Sequence, residues 1–206
     1  MPFPDPHTAY CGCLEDAKRR MDFLRSMITG QITTGHEDFD GEIACLQLRQ
    51  IVEEVAFAAL VAHRDQYAAI HNNLASAWRA QSILDRLAKI HPDFYPIPVS
   101  IETGDQGPHH HVLTPVESGF FTKDDFMVVY DRCSDGIHSW NPHRSGPRVI
   151  NFERPVSEWL DRLELLLATH LIRLVGEAGF LLIVFRHPDD GSTQLVRAVP
   201  ISESCP

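Results

Sequence analysis

Residues 42–63, EIACLQLRQIVEEVAFAALVAH, constrain the fold most, because any chain that carries this stretch has to bury it. Leu48, Ile51, Val52, Val55, Ala59 and Ala62 recur at three- and four-residue steps, the period of one helix face. Phe57, Leu60 and Val61 add apolar groups on other sides. A helix that is apolar nearly all round in its second half belongs at the centre of a bundle or in an oligomer interface. Arg49 and Glu53, four apart on it with Glu54 adjoining, predict an ion pair that fixes helix packing rather than acid–base chemistry.

Around this helix the sequence predicts others. Residues 13–28 carry Leu14, Met21, Leu24 and Met27 opposite a charged side, and Gly30 ends the run. A polar loop over 31–40 follows. A third helix, about 71–90, carries Leu74, Trp78, Ile83, Leu84 and Leu87 before the prolines of PDFYPIP break it. Residues 92–121 read as a loop with one short strand near 99–101, with Phe94 and Tyr95 pinning it to the core. Thr122 and Asp125 resemble a capping box, opening a helix that Gly136 is expected to end, with His138 just beyond. Pro155 suits the first turn of a helix over 156–168. The period then changes: 170–175, 180–186 and 194–201 are apolar runs separated by GEAG and PDDGS. The expected fold is α+β, mostly α, a helical bundle followed by a small C-terminal three-stranded antiparallel β-meander. A helical unit over 1–95 and a second unit over 96–206 are expected to pack as one globular domain.

Charge and motifs narrow the function. The 206 residues hold 18 Lys and Arg against 28 Asp and Glu, a net charge of −10, which argues against DNA and anionic membranes as partners. The longest apolar runs, 55–62 and 180–185, fall far short of the roughly 18 residues of a membrane span. With no apolar run near the start and five scattered cysteines, a cytoplasmic protein with free thiols is expected. No lysine follows a glycine as a phosphate-cradling loop requires, and GxSxG, HExxH and GxGxxG are absent, so no cofactor is expected. Cys11, Cys13 and the run His109, His110, His111 lack the second ligand pair of a structural zinc site, so no metal is expected there.

Arg followed after four to six residues by His is the remaining chemical pattern. Such a pair suits metal-independent RNA cleavage, with His moving the 2′-hydroxyl proton and Arg stabilising charge at phosphorus. Arg64–His71, Arg86–His91 and Arg132–His138 match it, against about 2.6 matches by chance for this composition. Context therefore has to choose. Arg86–His91 reads as a helix-end cap. Arg64–His71 falls at an interhelix corner. Arg132–His138 is flanked by Tyr130, Asp131 and Asn141, and by Arg144 and Arg148 of the arginine-rich stretch HRSGPRVINFER. These flanking groups are candidate binding residues.

The helical unit with its Arg-x₆-His, together with the Tyr-x₇-His of YDRCSDGIH, resembles the HEPN-type helical proteins of bacterial toxin, antiphage and RNA-processing systems over residues 43–142. The polar residue often seen after the arginine is Asp65 in one candidate and Cys133 in the other. The resemblance implies a dimer with a composite RNA-cleaving cleft carried by Arg64 and His71 or by Arg132 and His138. The chain is expected to be a small bacterial or phage-associated interaction or regulatory protein, working through a protein partner or as a homodimer. The alternative is a HEPN-like ribonuclease, or a catalytically silent relative, with RNA as its partner.

Overall fold

Helix α1 (Pro6–Ile28) opens with Pro6 in its first turn, where a missing N–H costs nothing, and with the Asp5 carboxylate accepting from the Thr8 N–H at 3.0 Å. It starts seven residues before the position expected from hydropathy, because the early prolines read as coil although one of them suits a helix start. The computed structural model describes residues 5–64, 67, 80–103, 111–139, 143, 151–174 and 179–199. Tyr10, Leu14, Ala17, Met21 and Leu24 form the buried stripe of α1. Gly30, at φ 74°, turns the chain out of it.

Helix α2 (Glu37–Ala62) is the central element, packed against α1, α3 (Ala80–Ile90) and α4 (Lys123–Ile137). Its second half is buried on several sides, through Ile51, Val52, Val55, Ala56, Ala58, Ala59 and Leu60, as the all-round apolar pattern requires. It also starts earlier than expected. Glu37, Asp38 and Asp40 occupy its first turn, where negative side chains meet the positive end of the helix dipole. The expected third helix survives as α3, and its first part, 71–79, lies outside the described residues.

The sheet corrects the expectation. Among the described residues it has five strands rather than three, every neighbouring pair antiparallel, in the order β2-β1-β3-β4-β5. The expected meander is β3 (Thr169–Arg173), β4 (Phe180–Val184) and β5 (Gln194–Ala198). To it the hairpin of β1 (Ile97–Thr103) and β2 (His111–Pro115) is added, where a loop with a single strand was expected. β2 is exposed along nearly all its length, so it carries no burial alternation, and its identity comes from pairing with β1, Val99 opposite Pro115 through Thr103 opposite His111. β1 joins β3 over a short seam, Ile97 opposite Leu171 and Pro98 opposite His170.

Helix α5 (Val156–Leu167) covers the sheet, contacting β1 and β3 and also α1. One continuous core cluster runs from Tyr10 and Leu48 through Phe126 and Trp159 to Ile172 and Phe185. Phe94 and Tyr95 are buried in it as expected, and the Tyr95 hydroxyl donates to the Phe121 carbonyl at 3.2 Å. The fold is α+β. No helix among the described residues is long and apolar enough to cross a membrane.

Candidate functional site

Helix α4 brings the expected functional groups to one edge of α2. Its start is a true capping box: the Asp125 N–H donates to Thr122 Oγ1 at 3.1 Å and the Thr122 N–H donates to Asp125 Oδ2 at 2.8 Å. Aspartate serves here because it also accepts from Arg162 Nη2 of α5 at 2.7 Å. Burial alone would raise the Asp125 pKa, yet Arg162 and the two Thr122 donors hold it below the usual carboxylate value. Phe126, Val129, Cys133 and Gly136 form the buried face, so Gly136 lies inside the helix, one residue before its last, where an end was expected. A glycine fits there as a small residue on a packed face.

Tyr130 and Ser134, one turn apart, meet Arg49 of α2. The guanidinium donates from Nε to Glu53 at 3.0 Å, from Nη1 to Ser134 Oγ at 2.9 Å and from Nη2 to the Tyr130 hydroxyl at 2.8 Å. It also lies 4.4 Å from the Tyr130 ring centroid. Arg49–Glu53 is thus a packing device, as the sequence predicts, and it takes Tyr130 with it. Burial raises the Tyr130 pKa despite the opposing charge of Arg49, so the phenol stays protonated at neutral pH. Its hydroxyl is a strut between helices.

Arg132 and His138 both reach solvent, Arg132 on α4 and His138 as the extended residue that caps it. Arg132 has Glu153 at 4.0 Å. Asp131 is exposed beside it. Arg64 is half-buried one residue beyond His63, while His71, Asn141, Arg144 and Arg148 lie outside the described residues. Arg154, from the same basic stretch, is paired with Glu158 and lies 5.6 Å from the Trp159 ring. The structure places Tyr130 with Arg49 and leaves Arg132 and His138 on the surface.

The surface feature that sequence reasoning missed lies next to them. An open depression of about 460 Å³ is lined by Thr34, Phe39, Glu42, Ile43 and Leu46 of the α2 start and by Ile137 at the α4 end. Phe39, Ile43 and Leu46 follow a helical spacing on a face distinct from the buried one, and Phe39 and Leu46 are 56% and 40% exposed. Asp40 holds the approach to α2 rigidly, accepting from Thr33 Oγ1 at 2.6 Å and from the Thr34 N–H at 2.7 Å. The Phe39 ring rests edge-on against His36, with centroids 5.4 Å apart. Glu42 lines the depression, and Glu37 and Asp38 precede it in the first turn of the same helix. The signal was available in the sequence, as the spacing of Phe39, Ile43 and Leu46, but placing 31–40 in a loop cut Phe39 off from the helix.

Two buried histidines complete the chemistry. His170 of β3 accepts from or donates to two partners, Tyr10 hydroxyl at 2.8 Å from Nε2 and the Leu167 carbonyl at 2.9 Å from Nδ1. Since a carbonyl only accepts, Nδ1 carries the proton and Nε2 accepts from Tyr10. His63, fully buried at the end of α2, makes no well-formed hydrogen bond at either ring nitrogen, although the Phe94 backbone lies close enough to favour its protonated form. The ring of His91, just beyond α3, stands 5.5 Å away by centroids at 70°, and its Nε2 is also buried without a partner. Burial brings the pKa of each buried imidazole down to about 4, helped at His63 by His91.

Among the described residues no group of three or more His, Cys, Asp or Glu is placed to hold a metal. The Cys13 thiol, well inside α1, faces Glu54, and burial with that carboxylate pushes its pKa up to about 12, which makes it a poor metal ligand or nucleophile. His109 and His110 lie outside the described residues. No protein family matches this chain, and neither a curated protein nor a solved structure resembles it.

Proposed function

We propose that this chain is an interaction or regulatory protein that binds a protein partner through the depression between the start of α2 and the end of α4. The observation that carries this reading is the exposed stripe of Phe39, Ile43 and Leu46. Large apolar side chains gathered at one rigid surface gain about 25 cal/mol for every Å² that a partner covers. The acidic surroundings select the partner's chemistry: an apolar segment flanked by Lys or Arg. A second copy of this chain, with its net charge of −10, would bring acid against acid.

The test uses a fluorescent amphipathic helical peptide with Leu and Phe on one face and Lys at both ends, beside a counterpart with Glu at both ends. The Lys-flanked peptide binds, the Glu-flanked one does not, and Leu46→Asp weakens binding at least about tenfold. Equal binding of both peptides, or binding that survives Leu46→Asp, overturns the reading. A homodimer in sedimentation of the protein alone would put a second copy in the peptide's place and overturn the reading.

A HEPN-like, metal-independent ribonuclease is the second reading, supported by the exposure of Arg132 and His138 together at the end of α4. Its test is cleavage of mixed RNA in EDTA, lost in His138→Ala. Absence of cleavage by the wild-type protein removes it.

A further inference from the structure

We propose that His63 and His91 form a binding site for a late first-row transition-metal ion, zinc foremost. Both nitrogens of His63 and Nε2 of His91 are buried without a well-formed hydrogen bond, in adjoining rings. Neutral imidazole nitrogen is the ligand that zinc, copper and nickel favour. An ion about 2 Å from a ring nitrogen lies about 3.2 Å from that ring's centroid. Two rings with centroids 5.5 Å apart therefore suit one shared ion at an N–metal–N angle of about 120°.

Position adds a second argument. His63 caps the C-terminal end of α2, its N–H donating to the Ala59 carbonyl at 3.2 Å. His91 does the same after α3, its N–H donating to the Leu87 carbonyl at 2.8 Å. Both rings thus sit at helix-end positions, and the His63 carbonyl in turn accepts from the Tyr67 N–H at 2.9 Å, where Arg64 and Tyr67 are helical again. A metal ion takes up one nitrogen of each ring.

Access and coordination number fit as well. The His91 residue is only half-buried, so an ion can reach the pair from its side. No third His, Cys, Asp or Glu joins the pair among the described residues, so the two imidazoles are the protein ligands this corner supplies there. The site is independent of the α2–α4 depression and of the reading built on it.

The experiment is a calorimetric zinc titration of the full chain at neutral pH, repeated with cobalt to read the coordination geometry from its visible absorption. The controls address the other histidines: His109→Ala, His110→Ala and His111→Ala are combined in one variant. One equivalent binds to the wild-type protein and to that triple variant alike, and zinc raises Tm in both. His91→Gln and His63→Leu each weaken binding at least about tenfold while keeping the wild-type circular dichroism. If His63→Leu fails to fold, the half-buried His91→Gln alone decides. No zinc binding by the wild-type protein would mean that the corner holds only water, and overturns the proposal. So does affinity unchanged in His91→Gln, or binding lost in the triple variant.

Discussion

The two buried histidines among the described residues occupy opposite kinds of corner. At the sheet, His170 spends one nitrogen on Leu167 and the other on Tyr10, joining β3 to α1 with no polar atom to spare. Where α2 and α3 end, His63 completes no well-formed bond with either nitrogen, although the Phe94 backbone lies close. Burial depresses both pKa values equally, to about 4, so the titration behaviour of the two groups is the same while their hydrogen bonding is not. Desolvation alone therefore does not distinguish a structural histidine from one kept for a ligand; the count of satisfied nitrogens does.

The sharpest way to break this comparison is one substitution made twice. His170→Leu leaves the Tyr10 hydroxyl and the Leu167 carbonyl buried without partners, and urea unfolding should show a loss of about 4 kcal/mol. A loss below about 1 kcal/mol would mean that the Tyr10–His170 link is incidental.

Acid probes what the two corners share. For a histidine whose folded pKa lies below its ordinary value of 6.5, the unfolded chain binds the extra proton. The contribution is therefore complete above 6.5 and is lost as pH falls toward 4. Between pH 7 and pH 5 each imidazole should cost about 2 kcal/mol of stability, with both acting together in the wild-type protein. Removing either histidine should halve this acid sensitivity, and a slope unchanged in both variants would show that neither group governs it.

His63→Leu is expected to have the smallest effect at neutral pH. It exchanges an imidazole with no well-formed hydrogen bond for an apolar side chain, so stability should change by less than about 1 kcal/mol in either direction. A loss as large as that of His170→Leu would place an unrecognised hydrogen bond at His63 and equate the two corners.

The sequence reveals each region to a different depth. The buried half of α2 is legible because a run apolar on all sides admits one environment, and Arg49–Glu53 follows from i, i+4 spacing alone. The capping box of Thr122 and Asp125 is legible for the same local reason. What escapes is long-range. The hairpin of β1 and β2 exists through strand pairing that leaves no burial pattern, and the sequence shows Tyr130 without showing that Arg49, 81 positions away, holds its hydroxyl. His91 is visible only as a helix-end residue, because its neighbour His63 comes from another helix. Of the candidate site, Arg132 and His138 are correctly expected near a helix end, whereas the apolar depression is hidden by an early helix start.

The seam between β1 and β3 gives the sheet unequal cooperativity. Only two residue pairs join the strands, and one member, Pro98, has no N–H to contribute. The hairpin of β1 and β2 is therefore expected to exchange its amides before β3 and β4, which pair over five residues. His170 lies opposite Pro98 at that join, so the imidazole that ties β3 to α1 also marks the narrowest pairing in the sheet.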